Sequence, residues 1–209
     1  MVKLVAAERK YNLSFTAGGL MLGESTALAA VYLQQLDWNA AKIIVLEQNL
    51  LQTRTDSTAR RKLRELTPRL ATMTLDQLKL IVSGSLAEQR ALLWLSVCKR
   101  NPILKDFARM VVREKYLTLD PLLRTTDFAE FLGHQSVWHE ELETLTANTR
   151  SKLTTVAMRM LREAELINSD GIIQPILMSP ELAQVIRDED TTWFEIFPVN
   201  PADIPGGAA

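Results

Sequence analysis

Residues that break helices are scarce in this sequence. It holds only 8 glycines and 8 prolines among 209 residues, and Gly18, Gly19 and Gly23 lie close together. Runs in which β-branched residues alternate with polar ones are almost absent, except near Leu166 to Met178. Because glycine and proline interrupt helices, their scarcity permits long ones. We therefore predict an all-α, mainly helical fold with one small β-hairpin.

Composition places the chain among ordinary soluble globular proteins. Hydrophobic residues make up 47%, charged residues 23%, and the formal net charge is -1. These values exclude a disordered chain and a uniformly basic coat protein for nucleic acid, so any basic site must be local. The single cysteine, Cys98, excludes an intrachain disulfide and a cysteine-rich zinc site. We expect a cytoplasmic protein with no membrane segment and no secretory signal.

Hydrophobic periodicity and capping residues predict ten helices and one hairpin. Asp170-Gly171 lies between two apolar pairs and predicts the hairpin turn. Pro68 is expected to kink or end the third helix, and the segment from Asp188 onward is expected to be a peripheral tail. The predicted helices are Glu24 to Leu36, Trp38 to Leu50, Asp56 to Ala71, Thr74 to Val82, Leu86 to Lys99, Pro102 to Tyr116, Thr126 to Leu132, Glu140 to Leu145, Thr149 to Ala164 and Pro180 to Arg187.

The Asp120-Pro121 pair predicts a domain boundary, because a residue before proline avoids the helical region. Residues 1–120 would form an all-helical N-terminal domain with a helix-turn-helix-like unit at residues 38–71. Residues 121–209 would form a winged-helix-like C-terminal domain with an acidic tail.

Positive charge is concentrated in three segments. Residues 51–70 and residues 99–115 each hold six bases against two acids, and residues 147–163 hold four bases against one acid. Residues 181–209 hold six acids against one base. The near-zero net charge therefore hides basic segments and an acidic tail. The sequence leaves open whether this tail folds back over a basic groove as an internal mimic of DNA.

A long basic helix followed by a hairpin is the most informative pattern in the chain. In a winged helix-turn-helix domain, such a helix lies in the major groove and the hairpin touches the backbone. The helix that begins near Asp56 repeats the pattern, with an apolar stripe opposite a basic face. Exposed hydroxyls and long cations suit contacts with phosphates and base edges, whereas the alternative is an ordinary solvated helix face. The predicted DNA-binding residues are Arg54, Ser57, Arg60, Arg61, Arg64, Lys105, Arg109, Arg150, Lys152, Thr154, Arg159 and Arg162.

The two basic helices also share a short sequence pattern. Residues 58–65 and residues 156–163 have Ala, Arg, Leu, Arg and Glu at equal spacing, which is five identities in eight positions. This likeness is either a trace of duplication or the ordinary alphabet of amphipathic helices.

Residues that could support catalysis are few. His134 and His139 are five positions apart, so on a helix they do not form a metal-binding pair. Cys98 lies in an apolar helix and is expected to be a buried, inert thiol. We therefore predict a protein that is not an enzyme and binds no metal or cofactor. The tryptophans are expected in the core rather than on a base-stacking surface: Trp38, Trp94, Trp138 and Trp193.

Five segments, in order over most of the chain, carry a family resemblance. They are YNLSFTAGGLML at 11–22, EQNLLQTRT at 47–55, LWLSVC at 93–98, VREKYL at 112–117 and MLREA at 160–164. Together they resemble the BrxA family, the small A component of BREX bacteriophage-defence systems. The resemblance implies an all-helical, non-enzymatic protein that binds DNA within a multi-component system. It supplies no DNA-contact motif, so the site residues above rest on helix phase and charge.

The predicted function is therefore that of a DNA-binding accessory protein of phage defence, with weak sequence preference. Its partners would be double-stranded DNA and other BREX components. One alternative is a protein-interaction scaffold whose basic faces dock acidic partner surfaces. Another is RNA binding, because a likeness to an RNA-binding antitermination fold has been proposed for such proteins.

Overall fold

The computed structural model describes residues 10–16 and 18–207, which fold mainly into helices. The expected absence of a secretory signal concerns residues 1–9, which lie outside the described residues. In the described ranges, no helix combines the length and the apolar character that crossing a bilayer requires. The α-helices are α1 Leu22–Gln35, α2 Trp38–Glu47, α3 Asp56–Leu70, α4 Leu75–Ser83, α5 Leu86–Arg100, α6 Pro102–Phe107, α7 Glu114–Leu117, α8 Thr125–Gln135, α9 Glu140–Glu143, α10 Ala147–Glu163 and α11 Pro180–Arg187.

Polar side chains set the helix starts by accepting hydrogen bonds from free backbone N–H groups. Asp37 accepts from the N–H groups of Asn39 and Ala40, at 2.6 and 3.1 Å, and so begins α2. Thr74 and Ser85 begin α4 and α5, each within a reciprocal capping box. Because such caps can be read from the sequence, the expected helix starts and ends lie within a few residues of those observed.

The sixth predicted helix is interrupted by a π-helical stretch, Ala108–Arg113, between α6 and α7. A π-helical turn adds a residue to the turn and rotates the side chains that follow. As a result Ala108 and Val112 are buried, while Met110 is exposed. In an unbroken helix, Phe107, Met110 and Val111 would fall on one apolar stripe, so the sequence predicts a buried Met110, and this prediction is wrong.

The predicted hairpin segment makes backbone contacts, but the described residues form no sheet. Ile167 pairs with Ile173, and Leu122 pairs with Ile172, each as an isolated antiparallel bridge. The N–H of Gly171 donates to the carbonyl of Asn168 at 3.1 Å and closes the turn. The mainly helical class is confirmed, whereas the helix-turn-helix unit, the winged helix and the hairpin remain predictions.

The C-terminal segment is part of the core, so its expected peripheral position is wrong. Phe194, Ile196 and Phe197 are buried in the same hydrophobic cluster as α5. The indole N–H of Trp94 also donates to the carbonyl of Ile196, at 3.2 Å. The bulky apolar side chains of this segment are irregularly spaced, and some lie in a 3-10 helix at Thr191–Ile196. These side chains hold the segment against the helices. The domain boundary at residue 120 remains a prediction.

Three of the four tryptophans are buried or half-buried, as expected. Trp138 is the exception, because it precedes α9 in a turn and is 71% exposed. Its expected place in the core is therefore wrong.

Candidate nucleic-acid interface

Helix α3 presents a cationic face because its apolar residues fall on one stripe. Ala59, Leu63, Leu66 and Leu70 are all buried, and the helix runs through Pro68 to Leu70. The Thr55 hydroxyl accepts from the N–H of Thr58 at 3.3 Å and fixes the start. The opposite face is exposed, and the predicted contact residues on or next to it are Arg54, Ser57, Arg60, Arg61 and Arg64.

The cations of α3 differ in their intramolecular partners. Arg60 forms a 3.0 Å ion pair with Asp56, but both side chains are mostly exposed, so the pair contributes little and can open. Among the described residues, Arg61 and Arg64 make no ion pair. These two guanidinium groups are therefore available to an external anion.

Helix α10 has the same two-sided construction. Leu153, Val156 and Met160 are buried in the core, while Lys152 and Arg162 are exposed. Neither cation forms an ion pair with any residue that the structure describes. Ser151 and Thr155 lie beside them at the surface and bring hydroxyl groups to this face.

Two predicted contact residues of α10 are engaged inside the protein. The Arg150 guanidinium donates to the carbonyl of Leu142, and Arg150 is only partly exposed. Thr154 is buried, and its hydroxyl donates to the carbonyl of Arg150 at 2.9 Å, a bond that hydroxyls commonly make inside helices. The expected exposure of Thr154 is therefore wrong.

The last turns of α3 and α10 meet at one loop, Gly18–Leu20. Arg69 of α3 donates to the carbonyl of Gly19 at 2.7 Å, while Glu163 of α10 accepts the N–H of Leu20 at 2.5 Å. The Arg159 guanidinium donates to the carbonyl of Gly18. This hydrogen bond competes with the DNA contact that the sequence predicts for Arg159. The contact joins the two basic helices, which are far apart in the sequence.

Burial and ion pairing have opposite effects on the pKa of Arg69 within this contact. Its side chain is 2% exposed and forms an ion pair with Glu65. Burial lowers the pKa of Arg69, and the Glu65 carboxylate opposes that effect. Arg69 therefore stabilises the loop rather than an external phosphate.

The basic segment at residues 99–115 is contacted by the C-terminal segment. Arg109 forms a 2.7 Å ion pair with Glu195, and the ammonium of Lys105 lies 4.6 Å from the centre of the Trp193 ring. Lys99 is 4% exposed and pairs with Glu189 at 2.5 Å; burial lowers its pKa and the carboxylate opposes this. Two acids of the predicted tail thus pair with two of the six bases in this segment, and the DNA-binding roles of Lys105 and Arg109 remain predictions.

A groove of about 810 Å³ lies between α2 and α3 and was not foreseen. Leu46 and Leu63 line it, together with Ile43, which is 54% exposed. The signal in the sequence is the composition of α2, since WNAAKIIVLE carries more apolar residues than one buried stripe requires.

The cysteine and the two histidines, which are the residues that the sequence offers for catalytic chemistry, lie in different surroundings. Cys98 is buried, and burial raises the pKa of its thiol well above the usual value, which disfavours the nucleophilic thiolate. His139 is buried against Tyr11 and Glu141, whereas His134 is exposed. Residues 10–16 and 18–207 contain no cluster of three or more His, Cys, Asp or Glu suited to a metal.

Comparison with known proteins gives consistent matches. The profile of the BrxA family matches residues 9–190. A protein of Escherichia coli O9:H4 (strain HS) named BREX protein BrxA is 26% identical over 172 residues, with 81% of each chain covered. Another, from Paramagnetospirillum magneticum (strain ATCC 700264 / AMB-1), bears the same name and is 23% identical over 196 residues, covering 90% of this chain and 95% of its own.

The fold also has a solved counterpart. The crystal structure of an uncharacterized protein from Magnetospirillum magneticum superposes with a TM-score of 0.77 and 21% identity, covering 91% of this chain and 98% of the other. At this identity the likeness concerns the fold alone.

Proposed function

The chain belongs to the BrxA family, and on this premise we propose that it is a non-enzymatic DNA-binding component of a BREX phage-defence system. The observation that carries the proposal is the pair of helices α3 and α10. Each is fixed to the core by an apolar stripe, and each exposes cations that pair with no acid among the described residues: Arg61 and Arg64 on one helix, Lys152 and Arg162 on the other.

The order of the elements supports α10 as a helix that enters a DNA groove. The segment at Leu122 precedes α8, α10 follows, and the Ile167 and Ile173 segments come next, with two isolated bridges joining these segments. With α9 as a short element between α8 and α10, this order would be that of a winged helix-turn-helix domain. Helices α2 and α3 would form the second, N-terminal helix-turn-helix-like unit.

Phosphate neutralisation would supply most of the affinity, because long cations lie on both faces. Contacts to phosphates carry no sequence information, so we propose weak sequence preference. Other BREX components would be its protein partners within the system.

The test is fluorescence anisotropy with a short labelled duplex at low salt. Arg61→Glu should weaken binding by about tenfold or more, because a phosphate contact becomes a repulsion. Lys79→Glu makes the same charge change on α4 and should alter affinity by less than about threefold. Equal effects of the two substitutions, or no binding by the wild-type protein, would refute the proposal. Competition with a matched RNA duplex decides between DNA and RNA.

A further inference from the structure

The groove between α2 and α3 combines an apolar floor with a basic rim. Ile43 leaves more than half of its surface in water, although it lies on a helix that packs against two others. Leu46 and Leu63 continue the apolar surface below it. A side chain of this kind is stabilised when a partner covers it, at roughly 25 cal/mol for each Å² removed from water.

The rim of the groove is cationic. Lys42 contributes from α2, and Arg60 and Arg64 contribute from α3. Within residues 10–16 and 18–207, Lys42 and Arg64 form no ion pair, and no acidic side chain lines the groove. An occupant must therefore bring apolar groups for the floor and negative charge for the rim.

A DNA duplex would bring the negative charge but not the apolar groups. Its phosphates would satisfy the rim, but its backbone offers no apolar side chains to cover Ile43. An amphipathic helix with an acidic border meets both requirements, because residues spaced at i, i+3 or i+4 and i+7 form one apolar stripe between its acids.

We propose that the groove between α2 and α3 is a docking site for an acidic amphipathic helix of a partner protein. Leucine-like side chains of that helix cover Ile43 and the half-buried Leu46, and its carboxylates pair with Lys42 and Arg64. The volume of about 810 Å³ lies within the range of sites that hold several side chains.

The test uses the full chain and three synthetic peptides of about 16 residues each. One has leucines on a single helical stripe and glutamates elsewhere, one is its scrambled version, and one replaces the glutamates with lysines. The first should bind saturably by fluorescence anisotropy, and the other two should not. No saturation up to about 1 mM, or equal binding of the scrambled peptide, would overturn the proposal.

Two substitutions locate the binding. Ile43→Gln keeps helix propensity and charge and should weaken peptide binding about tenfold, because an apolar contact is lost. Leu86→Gln changes a similarly exposed apolar residue on α5 and should have no effect. Peptide affinity that is identical in the two variants would contradict the site.

The same variants separate this proposal from DNA binding. Ile43→Gln should leave duplex affinity within about twofold, whereas Arg61→Glu, outside the groove, should impair duplex binding and spare the peptide. Loss of duplex and peptide binding to the same extent in Ile43→Gln would assign the groove to DNA and refute a helix-docking site.

Discussion

Glu163 illustrates how one residue of this chain connects distant segments. Its carboxylate accepts the backbone N–H of Leu20 at 2.5 Å and lies near Arg159. The approach is so close that a Cβ at Gly19 would overlap the carboxylate. Only glycine therefore fits this position without movement of the α10 side chain.

Gly19→Ala should destabilise the protein by about 1–3 kcal/mol, because the new methyl group must displace Glu163 from its hydrogen bond. Gly133→Ala in α8 is the matched control, since nothing lies within 4 Å of the added carbon. It should be neutral or stabilise by about 0.5–1 kcal/mol through better helix propensity. Urea denaturation of both variants measures the difference, and an equal midpoint for Gly19→Ala and the wild type would contradict the account.

At the scale of elements, Glu88 connects the first turn of α5 to the start of α11. Its carboxylate accepts from the Ser179 hydroxyl at 2.5 Å and from the N–H and hydroxyl of Ser85, both at 2.7 Å. The Ser179 hydrogen bond, followed by those from Ser85, holds the pKa of Glu88 below its ordinary 4.5. The ionised form is thus the one that stabilises this junction.

Because the folded pKa of Glu88 is depressed, its contribution to stability is complete above pH 4.5 and is lost as the pH falls through the folded value. Glu88→Gln should therefore be less stable than the wild type at pH about 7, and the difference should shrink at pH about 3. Glu130→Gln, an exposed carboxylate on α8, should show no such convergence. Urea midpoints at both pH values decide, and a constant gap between Glu88→Gln and the wild type would be incompatible with this role.

The helices themselves were largely predictable from local chemistry. The cap at Asp37, the stripe of Ala59, Leu63, Leu66 and Leu70, and the bounds of α11 all follow from residue spacing. The π-helical stretch could not be predicted in this way, because the sequence of Ala108–Arg113 contains no local signal for hydrogen bonds between residues i and i+5. Nor could spacing reveal that Arg150 and Arg109 have partners, since Leu142 and Glu195 become their neighbours only through tertiary folding.

For the whole molecule, acids and bases are nearly equal in number but are unevenly distributed along the chain. Among described residues, the acids beyond Pro180 that form ion pairs are Glu189 and Glu195, and both pair with bases of the segment at residues 99–115. Within the described residues, Arg61 and Arg64 of α3 and Lys152 and Arg162 of α10 form no ion pair, and the last turns of the two helices meet at Gly18–Leu20. A near-zero net charge is thus compatible with a local site for a polyanion.

We propose that α3 and α10 bind one duplex together through phosphate contacts. The most direct measurement is the dependence of duplex affinity on salt for the wild type, Arg61→Ala, Arg162→Ala and the double variant, with Lys79→Ala as control. The negative slope of log affinity against log salt should become less steep by about one for each arginine removed and by about two for both, while the control keeps the wild-type slope. Slopes that stay the same in all five proteins would contradict it.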